Sequence, residues 1–177
     1  MKIGGYVMSF TELAHERYSC RMFSDKKVEQ EKIEKIIEVG MAARTAVNAQ
    51  PVKIWVMNTH ESVAKVAKAT NYTFKAQTIF AVGASKENGW VRPFDNKIFS
   101  EIDATIVATH MMLEIHDLGL GTTWVGYFDP AKLQEQFPQM KEYDIVGLFP
   151  TGYPSDDAKP SPRHTESKPE SEMVEIL

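Results

Sequence analysis

The segment Thr78–Gly83 constrains the fold more than any other part of this sequence. It is an almost uninterrupted apolar run, TIFAVG, and such a run is typical of a strand that is covered on both faces. We therefore expect it to be a central strand of a sheet. The composition of three other segments predicts further strands: Lys53–Met57, Thr122–Phe128 and Ile145–Phe149.

Helical spacing of apolar residues separates these strands. The predicted helices begin at a Ser9–Glu12 capping box and then span about Gln30–Ala43, His60–Thr70 and Ile98–Leu118. The predicted buried stripes are Ile33, Ile36, Ile37, Gly40 and Met41 in the second helix, and Ile98, Ile102, Ile106, Met112 and Leu113 in the longest.

Two short signals mark helix ends. Gly119 is placed to end the longest helix in a left-handed conformation, and Asp129-Pro130 predicts the start of another helix.

Helices and strands alternate irregularly, so we predict an α+β fold with a mixed, mostly antiparallel sheet flanked by helices. The polar loop Lys86–Asn96 contains Trp90, which is either a lid residue or a core residue.

The composition of the chain argues against several classes of function. The 177 residues carry a net charge of -4 and one cysteine, so neither a basic nucleic-acid surface nor a cysteine-based zinc site within the chain is expected. No apolar run reaches the roughly 20 residues of a membrane helix, and no signal peptide is recognisable. We expect a cytoplasmic protein with no metal site and no membrane partner.

The segment Arg17–Arg21 concentrates phosphate-binding chemistry. It combines two guanidinium groups with the Ser19 hydroxyl, and the fork of donors in arginine suits phosphate oxygens. Taken alone, two surface arginines on a helix are the simpler interpretation. Cys20 lies between them and is either a small packed residue or a thiol of lowered pKa.

Four motifs in order resemble the nitroreductase family of FMN enzymes. They are Glu16–Phe23 (ERYSCRMF), Ala42–Pro51 (AARTAVNAQP), Gly119–Gly126 (GLGTTWVG) and Pro162-Arg163, and together they extend over nearly the whole chain. Arg44 stands where the family usually has proline, and its charge would favour an anionic substrate.

The resemblance implies roles for the matched residues. Arg17, Ser19, Arg21 and Arg163, with Tyr18 beside them, would bind the FMN phosphate and ribityl chain. Thr45, Asn48 and Gln50 would approach the flavin from the other subunit or support its pyrimidine end, where Asn71 is a further candidate. Trp124, Val125 and Gly126 would lie near flavin N5, with backbone groups of the last two facing it. No protein residue is expected to be catalytic, because the flavin carries the electrons.

The resemblance also implies an activity and an assembly. Hydride would pass from NADH or NADPH through flavin N5 to a nitro, quinone or related small acceptor in a ping-pong reaction. Residues 1–158 would form the FMN-binding domain of a domain-swapped homodimer, and residues 159–177 an arm on the partner subunit. Two alternatives stay open: a flavin-binding module that stores or senses FMN without useful turnover, and an anion-binding interaction domain.

Overall fold

A four-stranded sheet with helices on both faces forms the centre of the computed structural model, which describes residues 8–177. The strands are β1 (Val52–Met57), β2 (Thr78–Ser85), β3 (Gly121–Thr122) and β4 (Tyr143–Gly152). The helices are α1 (Phe10–Glu16), α2 (Gln30–Ala42), α3 (His60–Val66), α4 (Ser100–Asp117), α5 (Pro130–Gln136) and α6 (Glu170–Met173). Short 3-10 turns occupy Ala46–Asn48, Pro138–Met140 and Pro162–Thr165.

The sheet has the order β1-β2-β4-β3, and its strands pair antiparallel. An isolated parallel bridge between Ser19 and Thr122 lies outside these strands, and the predicted α+β fold with a mostly antiparallel sheet is confirmed. Strand β2 is central and buried along its whole length, as its apolar run predicts.

Alternating side chains of β2 supply two cores, because successive residues of a strand point to opposite faces. Phe80 and Val82 pack with α2 and α4, whereas Ile79 and Ala81 pack with residues of α3 and α5. The predicted caps at Ser9, Gly119 and Asp129 are all confirmed. Among residues 8–177, no helix combines the length and apolar character needed to cross a membrane.

Several boundaries and faces differ from the prediction. Helix α3 ends at Val66, and α4 begins at Ser100 rather than at Ile98. Of the predicted strand Thr122–Phe128, only Thr122 belongs to a regular strand, and a single bridge between Val125 and Leu148 follows it.

The buried stripes also need correction. Met41 of α2 is 70% exposed, because the helix turns it away from α4. The apolar residues on the buried face of α4 are Ala104, Val107, Ala108, Met111 and Ile115. Of the predicted stripe, Ile102 and Ile106 lie on the outer face of this helix and Ile98 precedes it, and all three are at least 36% exposed.

Two aromatic residues of the loop before α4, Trp90 and Phe94, lie in different environments. Trp90 packs edge-to-face on Phe99 with ring centroids 4.9 Å apart, so it is a packed residue. Phe94 is 93% exposed at the tip of the loop.

Candidate functional site

The segment that follows α1 is held against the sheet by backbone contacts. The Cys20 N–H donates to the Thr122 carbonyl at 2.9 Å, next to the parallel bridge of Ser19. A Cβ atom on Gly121 would lie 2.7 Å from both Cβ and Sγ of Cys20, so this close approach requires a glycine. Cys20 itself is fully buried, which supports the packed interpretation of this thiol.

A first cavity of about 290 Å³ opens beside this junction. Its lining includes Arg17 and Tyr18 after α1, His116 near the end of α4, and Leu120 to Thr122. Burial lowers the pKa of His116 from its ordinary value, so the imidazole is mainly neutral at pH 7. Burial first, and then the Cys20 thiol, raise the pKa of Tyr18 to about 12. The charged residues of the first cavity are therefore one permanent cation, Arg17, and two acidic residues, Glu16 and Asp117.

Arg17 forms no salt bridge within the described part of the chain. Its side chain is half-buried, and burial lowers the pKa of its guanidinium. No hydrogen bond or ion pair joins that guanidinium to another of residues 8–177. Taking a charge out of water costs free energy unless it is paired, so this position favours an anionic ligand.

The C-terminal segment returns to the same place. His164 lies in the 3-10 turn Pro162–Thr165, and its Nε2 donates to the His15 carbonyl at 3.2 Å. Its ring also packs edge-on to Tyr18, with centroids 6.4 Å apart. The turn that carries Arg163 is thus docked on the residues around Arg17 within one protomer.

The arginines of the chain differ in whether they form ion pairs. The chain has five of them, and in the described residues only Arg92 forms an ion pair, with Asp95. The Arg21 guanidinium donates to the Ser19 carbonyl at 3.1 Å but has no carboxylate partner in the same range. Arg17, Arg21 and Arg163 therefore form no ion pair with another of residues 8–177.

A second cavity, of about 170 Å³, lies beyond Arg21. Aromatic residues dominate its wall: Tyr72, Phe74, Trp124 and Tyr127. Tyr72 and Tyr127 meet edge-to-face with centroids 5.4 Å apart. Such a wall with a cation at its rim suits a flat ring system that carries a negative group.

The backbone of Trp124–Gly126 borders this second cavity, and only part of it is available to a ligand. Val125 exchanges both of its backbone hydrogen bonds with Leu148, at 2.9 and 3.0 Å. The Gly126 N–H has no acceptor within residues 8–177, and a Cβ there would meet no atom within 4 Å. The predicted pair of backbone donors thus reduces to Gly126. The Trp124 indole N–H donates to the Val146 carbonyl at 2.9 Å, so its ring is committed to the core.

The predicted residues of the Thr45–Gln50 loop lie elsewhere in the protomer. Thr45 and Gln50 line a third cavity, of about 400 Å³, between α2 and β1, while Asn48 is exposed. Asn71 is exposed next to Tyr72 of the second cavity. The structure therefore places Arg17 and Tyr18 in the first cavity beside the Arg163 turn, and Arg21 with Trp124–Gly126 in the second cavity. It leaves the Thr45–Gln50 loop apart from both.

The Thr45–Gln50 loop has a strained backbone. Val47, Asn48 and Gln50 have φ values of 47°, 56° and 50°, in the left-handed region. A left-handed conformation costs a non-glycine residue roughly 1–2 kcal/mol, and a β-branched valine rarely adopts it. Such a conformation persists where other contacts impose it.

Sequence reasoning missed two features of these sites. Tyr72 and Tyr127 line the second cavity, and only their aromatic character could have indicated them. Asp103, in the first turn of α4, is buried and accepts the Ala46 N–H at 2.9 Å with Oδ1. An acidic residue on the apolar face of a helix was the available signal.

Comparisons with known proteins match the chain to one family. Residues 14–88 and 71–153 match the model of the nitroreductase family. A nitroreductase family protein from Clostridium difficile 630 has a crystal structure with a TM-score of 0.88 and 38% identity, over 95% of this chain and 98% of that one.

More distant relatives share the fold and most of the length. A protein of Archaeoglobus fulgidus with the provisional name NADH dehydrogenase/NAD(P)H nitroreductase is 26% identical over 82% of this chain and 86% of its own. A structure from Exiguobacterium sibiricum 255-15, solved in complex with FMN, has a TM-score of 0.82 at 19% identity, over 97% of this chain and 98% of that chain.

Proposed function

Because the chain belongs to the nitroreductase family, we propose that it is an FMN-dependent oxidoreductase that reduces nitro, quinone or related small acceptors with NADH or NADPH. FMN would supply the ring nitrogen that accepts a hydride from the nicotinamide and delivers electrons to the acceptor. The names of the archaeal relative and of the FMN complex support this choice of donor and cofactor. The protein would bind and orient the three reactants.

The observation that carries the proposal is the half-buried guanidinium of Arg17, which has no hydrogen-bond or ion-pair partner among the described residues. The turn that carries Arg163 is docked on His15 and Tyr18, and Arg21 lies four residues after Arg17, which supports a shared role for these cations. A phosphate monoester satisfies several such donors at once, through charge-assisted hydrogen bonds. The fit between these residues and the FMN phosphate is therefore good.

The proposed roles of the site residues follow from the position of the phosphate. Arg17, Ser19, Arg21 and Arg163 would hold the phosphate and ribityl chain, with Tyr18 packed beside them. The free N–H of Gly126 would donate to the flavin near N5, since open space lies in front of it. Asn71 would bind the pyrimidine oxygens.

The separate position of the Thr45–Gln50 loop supports a homodimer in the proposal. Thr45, Asn48 and Gln50 line no cavity with Arg17, so they would reach the flavin of the partner subunit. The exposed isoleucines of α4 supply apolar surface for such an interface. The turn Pro162–Thr165 is docked on its own protomer, so only the later part of the predicted arm 159–177 would reach the partner. Its apolar end, Met173 to Leu177, is exposed in the protomer.

An anaerobic reduction experiment tests the function. The purified protein with added FMN should show a bound flavin spectrum that NADH or NADPH bleaches, and a quinone or nitroarene should restore it. A protein that binds no FMN would contradict the cofactor assignment. Bound FMN that neither nicotinamide bleaches would contradict the reductase activity and favour a storage role.

A further inference from the structure

Asp103 is a buried acidic residue that the proposed chemistry does not use. Its side chain belongs to the first turn of α4 and is 1% exposed. Oδ1 accepts the Ala46 N–H at 2.9 Å, while Oδ2 has no hydrogen-bond partner among residues 8–177. An alanine or leucine would fit a buried helix position without the cost of removing a carboxyl group from water. The presence of a buried carboxyl group at this position therefore calls for a structural or functional explanation.

The partner of Asp103 lies in the strained Thr45–Gln50 loop. Inside this loop the hydrogen bonds are local: Gln50 N–H to Thr45 Oγ1 at 3.0 Å, and Asn48 N–H to the Thr45 carbonyl at 2.9 Å. The bond from Ala46 to Asp103 is different, because it joins residues 57 positions apart. It fixes the loop to the longest helix at the point where the left-handed residues begin.

We propose that Asp103 is a positioning residue that fixes the Thr45–Gln50 loop through the Ala46 N–H, so that Thr45, Asn48 and Gln50 are held ready for the flavin. The flavin part rests on the proposed function. The loop part does not, since it concerns a contact within the protein alone. Asp103 touches no reacting atom and acts only through the loop.

A loop that is held before binding loses less conformational entropy when the ligand arrives. Without the Asp103 acceptor, the left-handed conformations of Val47 and Asn48 would compete with ordinary backbone conformations. The loop would then have to be ordered by the flavin itself, and FMN affinity would fall. The conservative substitution Asp103→Asn keeps an oxygen acceptor in the same place, so it should preserve the ordered loop.

Hydrogen exchange of the apoprotein and FMN titration test this proposal together. Asp103→Ala should speed exchange of the Ala46 N–H by about 10-fold and raise the Kd for FMN by about 10-fold, the size of one lost hydrogen bond. Asp103→Asn should stay near wild type in both measurements. Glu101→Ala is the matched control, because it removes an exposed acid from the same helical turn without contacting the loop.

A second variant removes the donor rather than the acceptor, and so tests the contact even if Asp103→Ala folds poorly. Ala46→Pro deletes the N–H, and the preceding Thr45 has a ψ of 161° that a following proline accepts. It should weaken FMN binding as much as Asp103→Ala does. In the double variant the two losses should not add, because both delete one hydrogen bond.

The outcomes separate this proposal from the proposed function. Unchanged Ala46 exchange in Asp103→Ala, or an equal effect of Glu101→Ala, would overturn the positioning role even if FMN binds normally. Fully additive losses in the double variant would also overturn it. If the wild type binds no FMN, the proposed function fails and, with it, the flavin part of this proposal, while the exchange data still decide whether Asp103 holds the loop.

Discussion

Arg17 shows at the scale of single residues why the site could be found from the sequence only in part. The Arg17–Arg21 pattern indicated phosphate chemistry, and the structure adds that the Arg17 guanidinium is half-buried and has no partner within residues 8–177. Its neighbour Cys20 could not be assigned from sequence, because burial decides whether a thiol reacts or packs. Asp103 was missed because its role depends on a residue 57 positions away.

The arginine of the C-terminal turn gives a prediction at this scale. Arg163→Ala should raise the Kd for FMN by about 10- to 100-fold, since one charge-assisted contact with the phosphate is lost. The measurement is quenching of FMN fluorescence on titration with protein. Lys168→Ala is the control, because it removes one charge from the same arm, from an exposed pair with Glu172. Equal effects of the two substitutions would mean that only net charge matters.

Elements were predictable where one face dominates the sequence pattern. The run in β2 and the stripe Ile33, Ile36 and Gly40 in α2 are buried as expected. Helix α4 was misread because it has apolar residues on both faces. The face with Ala104, Ala108, Met111 and Ile115 packs on the sheet, whereas Ile102 and Ile106 lie on the outer face. Periodicity alone cannot distinguish a core face from a second apolar face.

The junction between the Arg17–Phe23 segment and β3 gives a prediction for these elements. Gly121→Ala would place a methyl group 2.7 Å from the Cys20 side chain, so it should lower the free energy of unfolding by about 1–3 kcal/mol through overpacking. Gly126→Ala, where a Cβ meets no atom within 4 Å, is the matched control and should change stability little. Thermal denaturation followed by circular dichroism measures both. The same melting temperature for Gly121→Ala and wild type would contradict this packing.

A homodimer would account for three features that are exposed or separate in one protomer. The outer isoleucines of α4, the apolar end of the arm and the Thr45–Gln50 loop would each contact the second copy. Sequence composition alone would have described residues 159–177 as disordered, and the structure gives them a 3-10 turn and helix α6. Local composition could not reveal this order, because the turn depends on contacts of His164 with His15 and Tyr18, which are distant in sequence.

Substitutions on the outer face of α4 test whether the protein forms the proposed dimer. Ile106, which is 37% exposed, should tolerate valine, whereas Ile106→Asp places a charge in the proposed interface and should yield monomers. Light scattering coupled to size exclusion measures the mass of each variant. The monomer should also bind FMN more weakly, because it lacks the partner's loop. A wild-type monomer, or a dimer that survives Ile106→Asp, would contradict this interface.

The central claim is that Arg17 and Arg163 bind one phosphate group, and comparison of FMN with riboflavin tests it most directly. Riboflavin has the same ring and ribityl chain without the phosphate. The wild type should bind FMN at least ~100-fold more tightly than riboflavin, the size of two charge-assisted contacts. In the variant with both Arg17→Ala and Arg163→Ala, this preference should largely disappear while riboflavin affinity stays the same. Equal affinity of the wild type for the two flavins, or an equal loss for both ligands in the variant, would contradict the account.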